Sequence, residues 1–278
     1  MRDDSAERAM EERMSAIAPY EVSAFNTAAT SENKIHDDDV ARRFGFTGAL
    51  VPGVEVYAYM AHMPVARWGR AWLERGGAEC RFTKPVYDGN IARVSALEDK
   101  GVLNLTVESG GVLCASGHAV LPDAAAPPAA DSLPLGVLPK ERPKASESNL
   151  AAGVSLGLAP VTIDRAALQQ YLADIREKDD IYLRENLVHP GQILRLCNAA
   201  LVQSVVLGPW IHVGSRLRNF SAARVGQELT LRNRITSNGV TKGHAIVEFD
   251  ALAVADGDQV VAQITHTAIW RPRHVAAA

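Results

Sequence analysis

Cysteine is scarce in this chain: Cys80, Cys114 and Cys197 are the only three in 278 residues. An odd and widely spaced set makes neither a disulfide framework nor a metal site, so buried, reduced thiols and a cytoplasmic setting are expected. No run approaches the roughly 18 apolar residues of a membrane span. The opening "MRDDSAERAMEERM" is acidic and lacks the apolar core of a secretion signal, so residues 1–17 read as a solvated tail or a short amphipathic helix. Positive charge is not concentrated either. The 29 Lys and Arg are scattered among 32 Asp and Glu, giving a net charge of −3, which leaves no footprint for a nucleic-acid backbone. Neither nucleic acid nor a membrane is an expected partner. The acidic "DGDQ" at Asp256 does not continue with calcium-loop spacing and reads as a hairpin turn. No metal site is expected.

What is present is ordinary for a globular enzyme or binding protein: 47% hydrophobic and 22% charged residues. The length suits one large unit or two of about 100–150 residues. An internal repeat favours two. "ALVPGVEVYAYM" precedes "AECRFTKPVYDGN", and "NLVHPGQILRLC" precedes "SRLRNFSAARVGQ". The interval from Gly53 to Phe82 and that from Gly191 to Phe220 are the same, 29 residues. Matching landmarks at one interval point to a tandem duplication. Between the copies lies an Ala/Pro/Ser-rich stretch without a hydrophobic period, read as a linker over residues 123–159. The units are then 18–122 and 160–272, with a short tail at 273–278.

Each unit repeats one order of elements. The Pro-Gly is followed by an apolar run too long and too poorly alternating for a strand, "VEVYAYMAHMPVARW" or "QILRLCNAALVQSVVL", which predicts a mostly buried helix. Strands are then predicted at 78–86, 91–97, 103–108 and 113–121, and at 213–220, 228–237, 242–255 and 259–271, with "NG" and "DGD" as turns in the second set. An early strand near 20–26, or near 160–163, completes each sheet. One helix followed by an antiparallel meander is an α+β pattern, in which the sheet wraps the helix.

The run "NKIHDDDVA", then "FGF" and "LVPG", resembles the MaoC-like acyl dehydratase and (R)-specific enoyl-CoA hydratase family, and "FTKPVYDGN" is similar to that family's strand and turn. The resemblance covers the first unit well and the second only through its PG helix and strands. It implies a double hot dog fold, with two long central helices wrapped by a continuous antiparallel sheet. It further implies an acyl-CoA or other acyl thioester as ligand, no separate cofactor because CoA is part of the substrate, and reversible hydration at the 2,3-position. By the same resemblance His36 is the acid/base, Asn33 shapes the loop or holds water, and the chain forms a pseudo-dimer that could pair again as a homodimer. The chemistry accounts for those residue types. Water addition needs a proton acceptor and a proton donor over one face of the substrate. It also needs a donor for the thioester oxygen, which the Gly53 N–H at a helix start can supply.

One expected group is missing. Ser31 occupies the position where the family pattern has its catalytic aspartate, and Lys34 replaces a proline. A hydroxyl orients water but is too weak a base, so the loss amounts to roughly 10²- to 10⁴-fold in rate. Glu32 turned inward, Asp37 or Asp38 orienting His36, or a reaction needing one acid/base group would each compensate; the sequence does not choose. Val51, Pro52 and Tyr57 are expected along the substrate, although Tyr57 and Tyr59 also fit core positions with a polar tip. Arg81 and Lys84, and Arg216 and Arg218, are candidates for CoA phosphates, with solvated strand charges as the plainer account of any one. Glu55 in the first helical turn suits a rival thioesterase reading, and a non-catalytic thioester-binding protein is a second rival. The second unit has no N-x-I-H, with Asp174 near the place that His36 would map to, so one site is expected. His189 and His212 have no geometry that spacing alone defines.

Overall fold

The computed structural model describes residues 14–273; the acidic opening before Met14 and the end of the tail lie outside the described residues. The first unit contains strand β1 (Met14–Ser23), a short helix α1 (Asp38–Arg43), the long helix α2 (Gly53–Trp68), helix α3 (Arg70–Arg75), and strands β2 (Gly77–Phe82), β3 (Ile91–Asp99), β4 (Val102–Ser109) and β5 (Val112–Val120). The second contains β6 (Val161–Thr162), α4 (Arg165–Asp174), α5 (Ile181–Glu185), the long helix α6 (Pro190–Ser204), and β7 (Ile211–Asn219), β8 (Glu228–Thr241), β9 (His244–Ala255) and β10 (Gln259–Arg271).

The α+β expectation holds. All ten strands form one sheet in the order β1-β3-β4-β5-β2-β7-β10-β9-β8-β6. The units meet at β2 and β7, which pair antiparallel with Cys80 opposite Ser215 and Arg81 opposite Gly214. The two long helices pack on each other and on this sheet. Helix α2 is buried almost all round, from Val54 to Val65, as its unbroken apolar run requires. Each side chain of the size of Met60 or Met63 removed from water contributes about 1.5–3 kcal/mol.

Several boundaries differ from the sequence reading. Strand β1 begins at Met14 and so includes residues placed in the tail. Strand β2 ends at Phe82 rather than Val86, because the Thr83 and Lys84 amides both donate to the Cys114 carbonyl and Pro85 has no amide to continue the ladder. The "NG" at Asn238–Gly239 is not a turn but lies within β8, where Asn238 donates to the Leu150 carbonyl and accepts from Trp270 Nε1. The chain reverses instead at Lys242 and Gly243, both with positive φ, 51° and 82°. The stretch 123–159 does not hang free. Leu150, Leu156 and Leu158 are buried, and the buried Asn233 amide holds both the Leu156 amide and carbonyl, at 2.8 and 2.7 Å.

Candidate active site

Asn33 caps a 3-10 turn over Lys34–His36, and Asp37 caps α1 by accepting from the amides of Asp39 and Val40. Ile35 is buried in a small cluster with Ala41 and Leu50, which anchors this loop beneath the start of α2. His36 is thereby set on the wall of a cavity of about 530 Å³ at the N-terminus of α2. The first unit supplies Asn33, His36, Val51, Pro52, Gly53, Phe82 and Lys84 to its lining, among others. The second supplies Asn198 from α6, Trp210, His212 from β7, His244 and Arg273. Among the described residues the lining contains Lys84, Arg273 and three histidines but no carboxylate.

The His36 Nδ1 lies 2.7 Å from the Leu50 carbonyl oxygen. A carbonyl only accepts, so Nδ1 carries the proton and Nε2 is the lone-pair nitrogen. Burial pushes this imidazole below its ordinary value, partly opposed by the bond to Leu50, so the neutral form is favoured. The first helical bonds of α2 are donated by Glu55 and Val56 to the Pro52 carbonyl. The Gly53 amide precedes them at the positive end of the helix dipole. Only glycine fits at position 53. A Cβ there would stand 2.9 Å from His212 Nδ1 and 3.2 Å from both the His212 carbonyl and Phe82, so these two side chains pack directly against the helix start.

The other expected residues divide. Val51, Pro52 and Lys84 line the cavity. Asn33 also lines it, but its amide is already engaged: Nδ2 donates to the Trp210 carbonyl at 2.9 Å, and Oδ1 accepts from the amides of Trp210 and Ile35. It therefore clamps the loop to the second unit rather than holding water. Ser31 does not line the cavity; its hydroxyl donates to the Asn33 carbonyl at 3.4 Å. Tyr57, on α2, is buried and does not line the cavity. Arg81 is exposed and pairs with Glu79, and Arg218 donates to the Asp123 carbonyl, so neither reaches the site, nor does Arg216 line it.

None of the three substitutes for an aspartate is a carboxylate at His36. Glu32 forms a two-pronged pair with Arg142, Asp37 is the α1 cap, and Asp38 accepts from the Ala49 amide at 2.6 Å. Glu55 is buried behind the cavity, not in it, where Oε1 accepts from Arg195 Nε at 2.8 Å and from Thr27 at 3.0 Å.

No family model and no curated protein matches the sequence. Solved structures do match over nearly the whole chain. A MaoC domain protein dehydratase from Chloroflexus aurantiacus is similar at 12% identity and a TM-score of 0.60, covering 94% of this chain and 95% of that one. A Mycobacterium tuberculosis protein with a double hotdog fold is similar at 14% identity and 0.64, covering 92% and 96%. A MaoC-like dehydratase is similar at 14% and 0.57, covering 95% and 98%. This chain has the double hot dog fold.

The starts of the two long helices differ. The second hot dog unit closes its own. The His189 Nδ1 accepts the Gly191 N–H at 3.0 Å, occupying the amide equivalent to that of Gly53. Tyr171 fills the space in front, since a Cβ on Gly191 would stand 2.1 Å from its hydroxyl. The residues that sequence reasoning missed are Asn198, His212, His244 and Arg273. Their only sequence signal is the repeat itself, which implies that the start of α2 faces the central strand of the other unit.

Proposed function

We propose that the protein is a hydratase or dehydratase acting at the 2,3-position of an acyl thioester, with His36 as its single acid/base group. The observation that carries this reading is the pairing of a neutral imidazole, locked by Leu50 so that Nε2 is the acceptor, with the free amide of Gly53 on one cavity. In hydration, a water at His36 gives a proton to Nε2 as its oxygen bonds to C3. The π electrons move toward the thioester, and the enolate oxygen accepts from the Gly53 N–H. The imidazolium then returns the same proton to C2. Hydroxyl ends on C3 and proton on C2, so one base serves both steps and the missing aspartate is not required. Lys84 and Arg273 suit the phosphates of a CoA or carrier arm. The likeness of fold to MaoC-like dehydratases supports the reading.

Among the described residues the lining carries no carboxylate, which favours a second reading, a thioester-binding protein without turnover. The thioesterase reading through Glu55 loses its support, because that carboxylate is paired with Arg195 outside the cavity. Incubation with crotonyl-CoA and longer enoyl-CoAs, following enoyl absorbance and free thiol together, separates the three. The expected result is loss of enoyl absorbance without thiol release, reduced about 10²- to 10⁴-fold in His36→Ala. Binding without turnover supports the second reading, and thiol release overturns the first.

A further inference from the structure

His212 comes from the second unit, 176 residues beyond His36 in the sequence, yet it lies on the same cavity. It is 4% exposed, and its ring is held on three sides. Phe82 meets it edge-on with centroids 4.9 Å apart, and His266 stacks on it at 4.2 Å. Its Nε2 lies 3.1 Å from the Gly214 carbonyl and 2.9 Å from the Ser215 hydroxyl. The Gly214 carbonyl can only accept, so Nε2 carries the proton. Ser215 then accepts from Nε2 and passes its own proton toward His266 Nδ1, 3.0 Å away. The chain of bonds fixes one tautomer of His212, leaving Nδ1 as a lone pair. Among the described residues that nitrogen is buried and has no hydrogen-bond partner.

A buried acceptor without a partner is costly, and one that belongs to the lining of a cavity can be satisfied by a ligand there. Nδ1 stands 2.9 Å from where a Gly53 Cβ would be, beside an amide that donates to no protein group among the described residues. Asn198 Oδ1, on α6 and on the same lining, is likewise buried and unpaired.

We propose that His212 Nδ1 is a further catalytic group of this site, accepting a hydrogen bond from the attacking water in hydration or from the 3-hydroxyl of the substrate in dehydration. The inference rests on the hydratase reading and deepens it. The water has two protons: His36 takes one, and the other points at His212 and stays on oxygen to become the hydroxyl proton on C3. A lone pair is thereby turned to C3. Burial with no carboxylate beside it holds His212 down to about 3, so it acts as an acceptor and does not compete with His36 as a base. The second hot dog unit would then supply the hydroxyl recognition, and the first the proton transfer.

The test uses the full chain with His212→Phe, which removes the acceptor, and His212→Asn, whose carbonyl oxygen replaces Nδ1. Calorimetry should show the unmodified protein binding 3-hydroxybutyryl-CoA about tenfold more tightly than butyryl-CoA, a preference lost in His212→Phe and kept in His212→Asn. Turnover of crotonyl-CoA should fall at least tenfold in His212→Phe with KM within about threefold. No preference in the unmodified protein, or a preference unchanged in His212→Phe, would overturn the inference. Should the Phe variant not fold, the nitrogen-15 resonance of His212 Nδ1, assigned by its absence from His212→Asn, should move upfield with 3-hydroxybutyryl-CoA and not with butyryl-CoA; no shift overturns the inference. A hydroxyl preference that depends on His212 without any turnover would sink the hydratase reading and the catalytic part of this one, leaving His212 as the group that recognises the 3-hydroxyl. Turnover with an unaltered His212→Phe does the reverse.

Discussion

Helices α2 and α6 occupy equivalent places in the two units, and each begins at a Pro-Gly. At α2 the glycine amide is left over and faces a cavity lined by cations and neutral imidazoles. At α6 the preceding residue is histidine, which caps the equivalent amide itself, with Gln192 reaching back to the His189 amide. Behind this cap lies a buried network in which Glu177 accepts from His62 at 2.7 Å and faces His189 Nε2 at 3.5 Å. Tyr20 stacks on His62, and Tyr171 lies under Arg195. Two helix starts with the same dipole have thus been put to opposite uses. What differs is whether protein groups satisfy the orphan amide or leave it for a ligand.

The largest test of the closed end is Arg195→Met. Glu55 is 1% exposed and would be left as an unpaired buried carboxylate, so the unfolding free energy should drop by about 3 kcal/mol in urea titration. An unchanged midpoint would mean that the pair does not hold the helices together. Gly191→Ala should cost about 2 kcal/mol, because the new methyl meets both the Tyr171 hydroxyl and Ala58 of α2. Hydration per folded molecule should stay within a few-fold, since the closed end has no part in turnover.

Acid separates the two ends by sign and by observable. Burial alone would raise the Glu177 carboxyl, but hydrogen bonds from His189 and His62 outweigh it and hold the group well below the usual carboxylate range. A carboxyl lowered in the folded state adds stability above its unfolded value, near pH 4.5, and loses it as pH falls further. The stability gap between the protein and Glu177→Gln should therefore narrow below pH 4.5. At the open end it is activity that responds. The base limb of kcat/KM should have its midpoint below 6.5, because burial lowers His36; a midpoint above it would exclude His36 as the base. The smallest expected effect is that of Ser31→Asp. Its side chain does not reach the cavity, so hydration should stay within about twofold, whereas a large gain would restore the aspartate to the mechanism.

Much of the open end was legible because it is local. The loop from Asn33 to His36 and the start of α2 are both short stretches whose caps and turns are set by neighbours in the chain. The 29-residue interval exposed the duplication, and the apolar runs located both long helices. Ser31 is not on the cavity, and neither are Tyr57 and Arg81 in the substrate roles weighed for them; a residue's position along a loop, helix or strand does not say which way its side chain faces, and the core position for Tyr57 and the solvated charge for Arg81 fit. Asn33 was left between shaping the loop and holding water because its partner, the Trp210 backbone, lies in the other unit. The turn at Lys242–Gly243 was missed because an Asn-Gly nearby is the stronger local signal, and tertiary bonds from Leu150 and Trp270 held that Asn in the strand.

By itself, the sequence determined that two similar α+β units follow one another, where their long helices start, and that His36 and Gly53 stand together in one of them. Periodicity, capping and turn chemistry act within a few residues, so they can be read from the order of residues alone. Only the tertiary structure decided that the Gly53 end is open, that the Gly191 end is sealed by His189 and Tyr171, and that His212 joins His36. The last of these depends on joining β2 to β7 across the two units, which brings His212 beside the start of α2.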